Sequence, residues 1–207
     1  MPHLPYLYAG ALRLPAGAVQ VASLLPEPCT RLELEIGPGR GGFLMERLAV
    51  RSDVGMLGLE IRRKWVQLVN DRLQSRGLAA RAQVYAADAL DGMRRLQPDG
   101  SLAVVYVHFP DPWWKKRHNK RLVVSRFVLD EVARLLKVGA DLFVQTDVPE
   151  RADTYEAQIG AHGAFEPCGD CEGSARVAIN PYGARSHRER QALDDQIPIH
   201  RLRFIRK

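Results

Sequence analysis

The chain predicts an α/β fold, a mostly parallel β-sheet with helices on both of its faces. Three observations predict it. Short apolar runs alternate with longer stretches whose apolar residues recur three and four positions apart. The first apolar run opens directly into a glycine-rich turn, Glu35-Ile36-Gly37-Pro38-Gly39-Arg40-Gly41-Gly42. No repeat, low-complexity segment or internal linker interrupts the alternation, so the 207 residues are expected to form one domain with a sizeable core. Strand–helix–strand connections of this kind pair strands in parallel and lay the helices over the sheet.

The elements follow in order. Residues 31–36 (Arg-Leu-Glu-Leu-Glu-Ile) read as a strand, and a helix from about Gly41 places Leu44, Met45, Leu48 and Ala49 on one face. Residues 55–60 form a second strand. The next helix starts near Arg62, carries Trp65, Leu68, Val69 and Leu73 at helical spacing, and stops at Gly77. Residues 81–86 and 102–108 are the third and fourth strands. A long helix near 122–137 is expected to turn Val124, Phe127, Val128, Val132, Leu135 and Leu136 to the core and to end at Gly139. A strand at 141–145, a helix near 149–162 and a strand near 200–205 complete the pattern. Residues 1–30 read as an N-terminal extension and 173–207 as a substrate-facing C-terminal segment. The first 20 residues and Gly173 to Ser186 are expected to be the most mobile.

Composition narrows the function. Hydrophobic residues make up 46%, which excludes a disordered chain. The net charge is +6 and the cations are mostly arginine, which suits phosphate contacts and stacking on bases, although a solvated surface explains the charge equally well. Three cysteines, Cys29, Cys168 and Cys171, are too few and too odd in number for a disulfide framework and fit a reducing cytoplasm. The lone Cys168-Gly-Asp-Cys171 pair has no second pair to complete a zinc site, so no metal is expected. No signal-peptide pattern or membrane-length apolar run is present. A soluble cytoplasmic protein without a membrane partner, monomer or homodimer, is the expectation.

The glycine turn is one wall of the crevice that an open parallel sheet forms beyond its carboxyl ends. Gly37 and Gly39 let a ligand approach the backbone. With Gly42 they also match a dinucleotide fingerprint, and Glu60 at the end of the second strand fits either ligand as a ribose acceptor. The acids decide between them. Glu35 precedes the turn, Asp88 follows the third strand and Asp111 follows the fourth. A pyrophosphate would be repelled by such a row, whereas S-adenosylmethionine, with an ammonium and a sulfonium, would be attracted. Taken singly, Glu60 and Asp88 could equally be helix caps and Glu35 a structural acid.

The second constellation runs from His108 to Arg121. An acid on a rigid Asp111-Pro112-Trp113 turn is followed by Trp114, Lys115, Lys116, Arg117, His118, Asn119, Lys120 and Arg121. A fixed acid, a flat aromatic and a cluster of cations suit a base presented on a phosphate backbone.

FPDPW followed by Lys-Lys-Arg-His-Asn-Lys-Arg resembles the signature of bacterial tRNA (guanine-N7)-methyltransferases. EIGPGRGG, Gly58-Leu59-Glu60, Asp88 and Thr146-Asp147 fall in that family's order, over roughly residues 31–150. The resemblance implies a Rossmann-like class I methyltransferase fold, with seven strands and an antiparallel last hairpin. It implies S-adenosylmethionine contacts at Glu35, Glu60, Asp88 and Asp111, beside the cofactor-facing Gly37 and Gly39 of the turn. Substrate contacts are implied at Lys115, Asp147 and the late segment Ser186, His187, Arg188 and Glu189. RNA contacts are implied at Trp113 and from Arg117 to Arg121. The implied partner is tRNA and the implied target a guanine at position 46 of its variable loop. Asp111 is the expected catalytic residue, orienting the guanine edge and stabilising the charge that N7 acquires. Leu122 and Ala192 depart from an arginine and a glycine usual in the family, Trp114 from a proline or histidine, and Ser-His-Arg-Glu is a weak copy of its late motif. These departures leave room for another RNA base as substrate, or for a non-catalytic RNA-binding paralogue.

Overall fold

The computed structural model describes residues 8–110 and 124–207. A two-residue strand β1 (Val19–Gln20) and a 3-10 turn precede β2 (Arg31–Ile36), α1 (Gly42–Val50), β3 (Val54–Glu60), α2 (Arg63–Ser75) and β4 (Ala82–Ala86). Next come α3 (Ala89–Arg95), β5 (Leu96–Gln97), β6 (Leu102–His108), α4 (Arg126–Leu135), β7 (Leu136–Thr146) and α5 (Pro149–Gly160). The chain closes with β8 (Phe165–Pro167), α6 (His187–Asp194) and β9 (His200–Arg206).

Seven strands form one sheet in the order β4-β3-β2-β6-β7-β9-β8. The first five are parallel, and β9 runs antiparallel to both β7 and β8. From β2 the chain moves outward one way through β3 and β4, then returns to the other side of β2 as β6. The strand order therefore reverses between β2 and β6, the point where an open sheet leaves a crevice for a ligand.

Side chains alternate across each strand and build two apolar layers. Leu34, Ile36, Leu57, Leu59, Val105 and Val107 face α3, α4 and α5. Met56, Val104, Tyr106 and Phe143 face α1 and α2. On β2 the second face belongs to Glu33 and Glu35, both buried. Glu33 is fully satisfied: it accepts from Arg47 Nε at 2.9 Å and Nη2 at 2.8 Å, from Arg31 Nε at 2.7 Å, and from the Tyr106 hydroxyl at 2.8 Å.

Several expectations need correction. Phe127 is 64% exposed rather than in the core, because α4 begins only at Arg126 and its apolar stripe starts with Val128. Leu136 is the first residue of β7, not the last turn of a helix, and Gly139 lies inside that strand at φ +78°. The segment from Gly173 to Ser186 is fastened at several points. Arg47 Nη1 donates to Tyr182 O at 2.9 Å, the Tyr182 hydroxyl to Asp141 at 2.9 Å, and Arg185 N to Glu46 at 2.7 Å. Part of the N-terminal extension also packs: Leu14, Val19, Val21, Leu24 and Leu25 are buried in the core, and Ala86 N donates to Leu12 O at 2.7 Å.

Candidate functional site

The carboxyl ends of the parallel strands open into a cavity of about 690 Å³. Glu35 to Arg40 form one wall, Glu60 to Arg62 and Trp65 the next, and Ala87 to Leu90 the far end. His108, Phe109 and Pro110 lie at the floor, with Thr146 to Val148, Arg151 and residues 186–188 opposite and Ser125, Phe127 and Val128 at the side. The sequence-predicted residues Glu35, Gly37, Gly39, Glu60, Asp88, Asp147, Ser186, His187 and Arg188 thus meet around one space.

Their chemistry differs. Gly37 and Gly39 adopt left-handed backbones, φ +69° and +53°, and a Cβ built on either would meet no atom within 4 Å. The turn therefore presents bare backbone to the cavity, a surface that any larger residue would shield. Glu60 ties this turn to its own strand end, accepting from Gly39 N at 3.1 Å and Arg62 N at 2.9 Å. Asp88 is the N-cap of α3, with Oδ1 accepting from Leu90 N at 3.0 Å and Asp91 N at 3.3 Å. Capping and cavity lining coexist there.

Glu35 is the exceptional acid. Its side chain is 2% exposed, and its one side-chain hydrogen bond among the described residues runs from His108 Nδ1 to Oε1 at 2.9 Å. Oε2 is buried and has no partner among the described residues. A carboxylate oxygen shut away from water costs several kcal/mol unless a donor or a cation reaches it. A ligand with a positively charged amino group at the glycine turn would supply that partner. Backbone bared at Gly37 and Gly39, acceptors at Glu60 and Asp88, and an unmet carboxylate oxygen at Glu35 fit a nucleoside that carries an amino acid, such as S-adenosylmethionine.

Opposite this wall, Arg188 Nε donates to Asp147 Oδ2 at 2.8 Å and its Nη2 makes a second bond to the same oxygen. Arg40 reaches His187 Nε2 at 3.3 Å, linking the glycine turn to the start of α6. The Arg40 guanidinium also lies 5.4 Å from the Trp65 ring centroid, a cation–π distance. Ser186 caps α6 by accepting from Glu189 N at 3.1 Å. Glu189 itself turns away from the cavity; it is 1% exposed and accepts from Gln145, Asn180 and Arg201.

Phe109 takes a left-handed backbone at φ +47°, unusual for a bulky residue, and its N–H donates to Gln145 O at 2.8 Å. It aims the chain into Pro110 at the cavity edge. Asp111, Trp113, Lys115, Arg117, His118, Asn119, Lys120 and Arg121 lie outside the described residues. Among the described residues no group of His, Cys, Asp and Glu could hold a metal, and the cysteines are free. His108, Arg40, Trp65, Arg151 and the exposed Phe127 are site-lining residues that pattern reasoning did not single out. His108 stood inside the segment that mattered most, but a histidine at a strand end carries no signal without its partner.

A family model described as "Putative methyltransferase" matches residues 30–202. A tRNA (guanine-N(7)-)-methyltransferase of Thermosynechococcus vestitus is 35% identical over 187 residues, covering 87% of this chain and 82% of that protein. One of the same name from Synechococcus elongatus is also 35% identical, covering 86% of this chain and 84% of its own. Among solved structures, the 16S rRNA methyltransferase KamB matches with a TM-score of 0.64 at 15% identity, over 89% of this chain and 92% of that one. Geranyl diphosphate C-methyltransferase from Streptomyces coelicolor A3(2) matches with a TM-score of 0.56 at 12% identity, over 93% of this chain and 75% of that one.

Proposed function

The chain belongs to the tRNA (guanine-N(7)-)-methyltransferase family, and from that premise we propose that it methylates N7 of guanine at position 46 in the variable loop of tRNA. It is an enzyme with a class I methyltransferase fold, and its methyl donor is S-adenosylmethionine. When bound, the cofactor supplies a methyl group on a sulfonium, and the in-plane lone pair of guanine N7 can take it without a general base. The protein's work is then alignment and electrostatics.

The observation that carries the reading is the buried Glu35 carboxylate with Oε2 open beside the bare glycine turn. Glu35 holds the cofactor's amino-acid end, Glu60 its ribose hydroxyls and Asp88 its adenine amine. Asp111 orients the guanine edge and balances the charge that N7 gains. Asp147 already accepts from Arg188 through Oδ2 and offers Oδ1 to guanine N1–H or N2, while Lys115 engages the base carbonyl or a phosphate. Ser186, His187 and Arg188 close the substrate side. Trp113 and the basic residues Arg117 to Arg121, with His118 and Asn119, track the RNA backbone and a flanking base. No helix among the described residues is long and apolar enough to cross a membrane. A cytoplasmic site of action is part of the same proposal, since tRNA is its substrate.

The test is incubation with unmodified tRNA and methyl-labelled cofactor, followed by nucleoside analysis and mapping of the labelled position. 7-Methylguanosine at position 46 is the expected product. Label on another base, or none with a folded protein and intact tRNA, refutes the reading. Asp111→Ala is expected to bind cofactor-sized ligands more weakly and to lose methyl transfer while remaining folded; full activity in that variant removes Asp111 from its role.

A further inference from the structure

The cavity floor holds a second buried polar group, His108, to which methyl transfer gives no evident task. Its side chain is 2% exposed. The ring centroid lies 4.3 Å from that of Phe43, 5.6 Å from Tyr106 and 6.0 Å from Phe143. Within this aromatic cage, Nδ1 meets Glu35 Oε1 at 2.9 Å and Nε2 has no partner among the described residues. An apolar ring would fill the same cage without the desolvation cost of an imidazole. What the imidazole adds is a fixed donor. A carboxylate's terminal torsion is broad and soft. One oxygen tied to a ring wedged among aromatics fixes that torsion, and with it the direction of the other oxygen.

We propose that His108 is a positioning residue for the cofactor's amino-acid end: it pins Glu35 Oε1 so that Oε2 is presented to the α-ammonium group of S-adenosylmethionine. The unmet oxygen needs a hydrogen-bond donor, and of the cofactor's two cations only the ammonium has N–H groups. The inference rests on Glu35 being a cofactor ligand. It makes S-adenosylhomocysteine, which keeps the ammonium and lacks the sulfonium, the appropriate probe.

The experiment is calorimetric titration of S-adenosylhomocysteine into wild type, His108→Asn, His108→Gln, Glu35→Gln and the Glu35→Gln/His108→Gln double variant. The asparagine amide nitrogen reaches the place of Nδ1 and keeps the donor; the glutamine nitrogen reaches the place of Nε2 and loses it. His108→Asn is expected to bind within about threefold of wild type and His108→Gln about 10- to 100-fold more weakly, the size of a hydrogen bond to a charged group. The double variant should bind no more weakly than Glu35→Gln alone. At saturating cofactor, the KM for tRNA should be unchanged in His108→Gln. Should His108→Gln not fold, His108→Phe fills the cage without a donor and carries the same expectation. Equal weakening by Asn and Gln would mean that the ring matters only as packing and would overturn the proposal, as would wild-type affinity in His108→Gln. Wild-type affinity in Glu35→Gln would instead remove Glu35 as a ligand, and with it this inference. No binding to folded wild type would remove the cofactor reading beneath both.

Discussion

Glu33 and Glu35 stand two positions apart on one face of β2 and do opposite things. Glu33 accepts from Arg47, Arg31 and Tyr106, whereas Glu35 has His108 alone among the described residues. Burial, the largest influence on Glu33, pushes its pKa up, but the Arg47 and Arg31 hydrogen bonds and the charge of Arg47 outweigh it and hold the carboxyl below the usual range. The Tyr106 hydroxyl is pushed well above its ordinary value, by burial first and then by the Glu33 charge. Glu33→Gln is therefore expected to cost about 3–5 kcal/mol in urea unfolding at neutral pH, since it leaves the buried Arg47 guanidinium uncompensated. Glu35→Gln should cost less than about 1 kcal/mol, losing one hydrogen bond's charge but no partnered cation. The pH dependence follows from the same pKa. A carboxyl depressed in the folded state contributes its stability above the unfolded value of about 4.3 and loses it as pH falls through the lower folded value. The stability gap between wild type and Glu33→Gln should thus close between neutral and strongly acidic pH. A gap that stays constant would show that Glu33 does not act as an ion. The strand and Glu35's place at its end were legible from sequence. Which of two alternating glutamates is fully paired was not, because Arg47 lies on α1 and Tyr106 on β6.

At the scale of elements, α6 is the clearest case of a signal obscured by another. Ser186-His187-Arg188-Glu189 fits the S-x-x-E pattern that opens a helix, and Ser186 does cap α6. Read as a weak copy of a substrate motif, the same four residues hid the helix they start. They divide by direction: His187 and Arg188 face the cavity, while Glu189 points inward to Gln145, Asn180 and Arg201. Ser186→Ala should cost about 1 kcal/mol, the worth of an N-cap. Glu189→Ala should cost more, about 3–5 kcal/mol, because the Arg201 cation loses its buried carboxylate. Chemical denaturation of the two variants orders these costs, and the reverse order would make Glu189 a surface-facing group. Elsewhere, apolar periodicity located α4 but placed its ends poorly. Leu135 and Leu136 continue a helical stripe on paper, yet Leu136 pairs with Leu102 across the sheet, and Phe127 is left outside beside the cavity. Tertiary pairing overrode local pattern at the carboxyl end of that element.

For the whole molecule, the alternating pattern was enough to reach the parallel sheet, its switch point and the acids at its rim, since those depend on local periodicity and on residues beside turns. The closure of the cavity by α6 and the packing of residues 8–25 depend on contacts distant in sequence and left no local trace. The charge distribution is of the second kind as well. Arg47, Arg134, Arg176, Arg201 and Arg203 are engaged with carboxylates, so the bulk excess does not by itself locate a nucleic-acid surface. Around the cavity, however, stand Arg40 and Arg151, on the same side as the chain that enters the basic segment at Pro110. If tRNA docks across this mouth, each phosphate neutralised releases counterions, and affinity falls with salt in proportion to the number of such contacts, with a log–log slope of about −0.7 to −0.9 per contact. On the proposed reading the cofactor would bind through enclosed hydrogen bonds and the buried Glu35 carboxylate, where screening by salt is weak. Raising salt from 50 to 200 mM, a range over which a protein making several phosphate contacts loses about 10³-fold or more, should therefore weaken tRNA binding steeply and leave S-adenosylhomocysteine affinity nearly unchanged. Charge reversal at the rim, Arg40→Glu with Arg151→Glu, should flatten the tRNA slope by roughly two contacts without altering its sign. Parallel salt titrations of the two ligands on wild type and this variant make the comparison, and an unaltered tRNA slope would place the RNA on another face of the molecule.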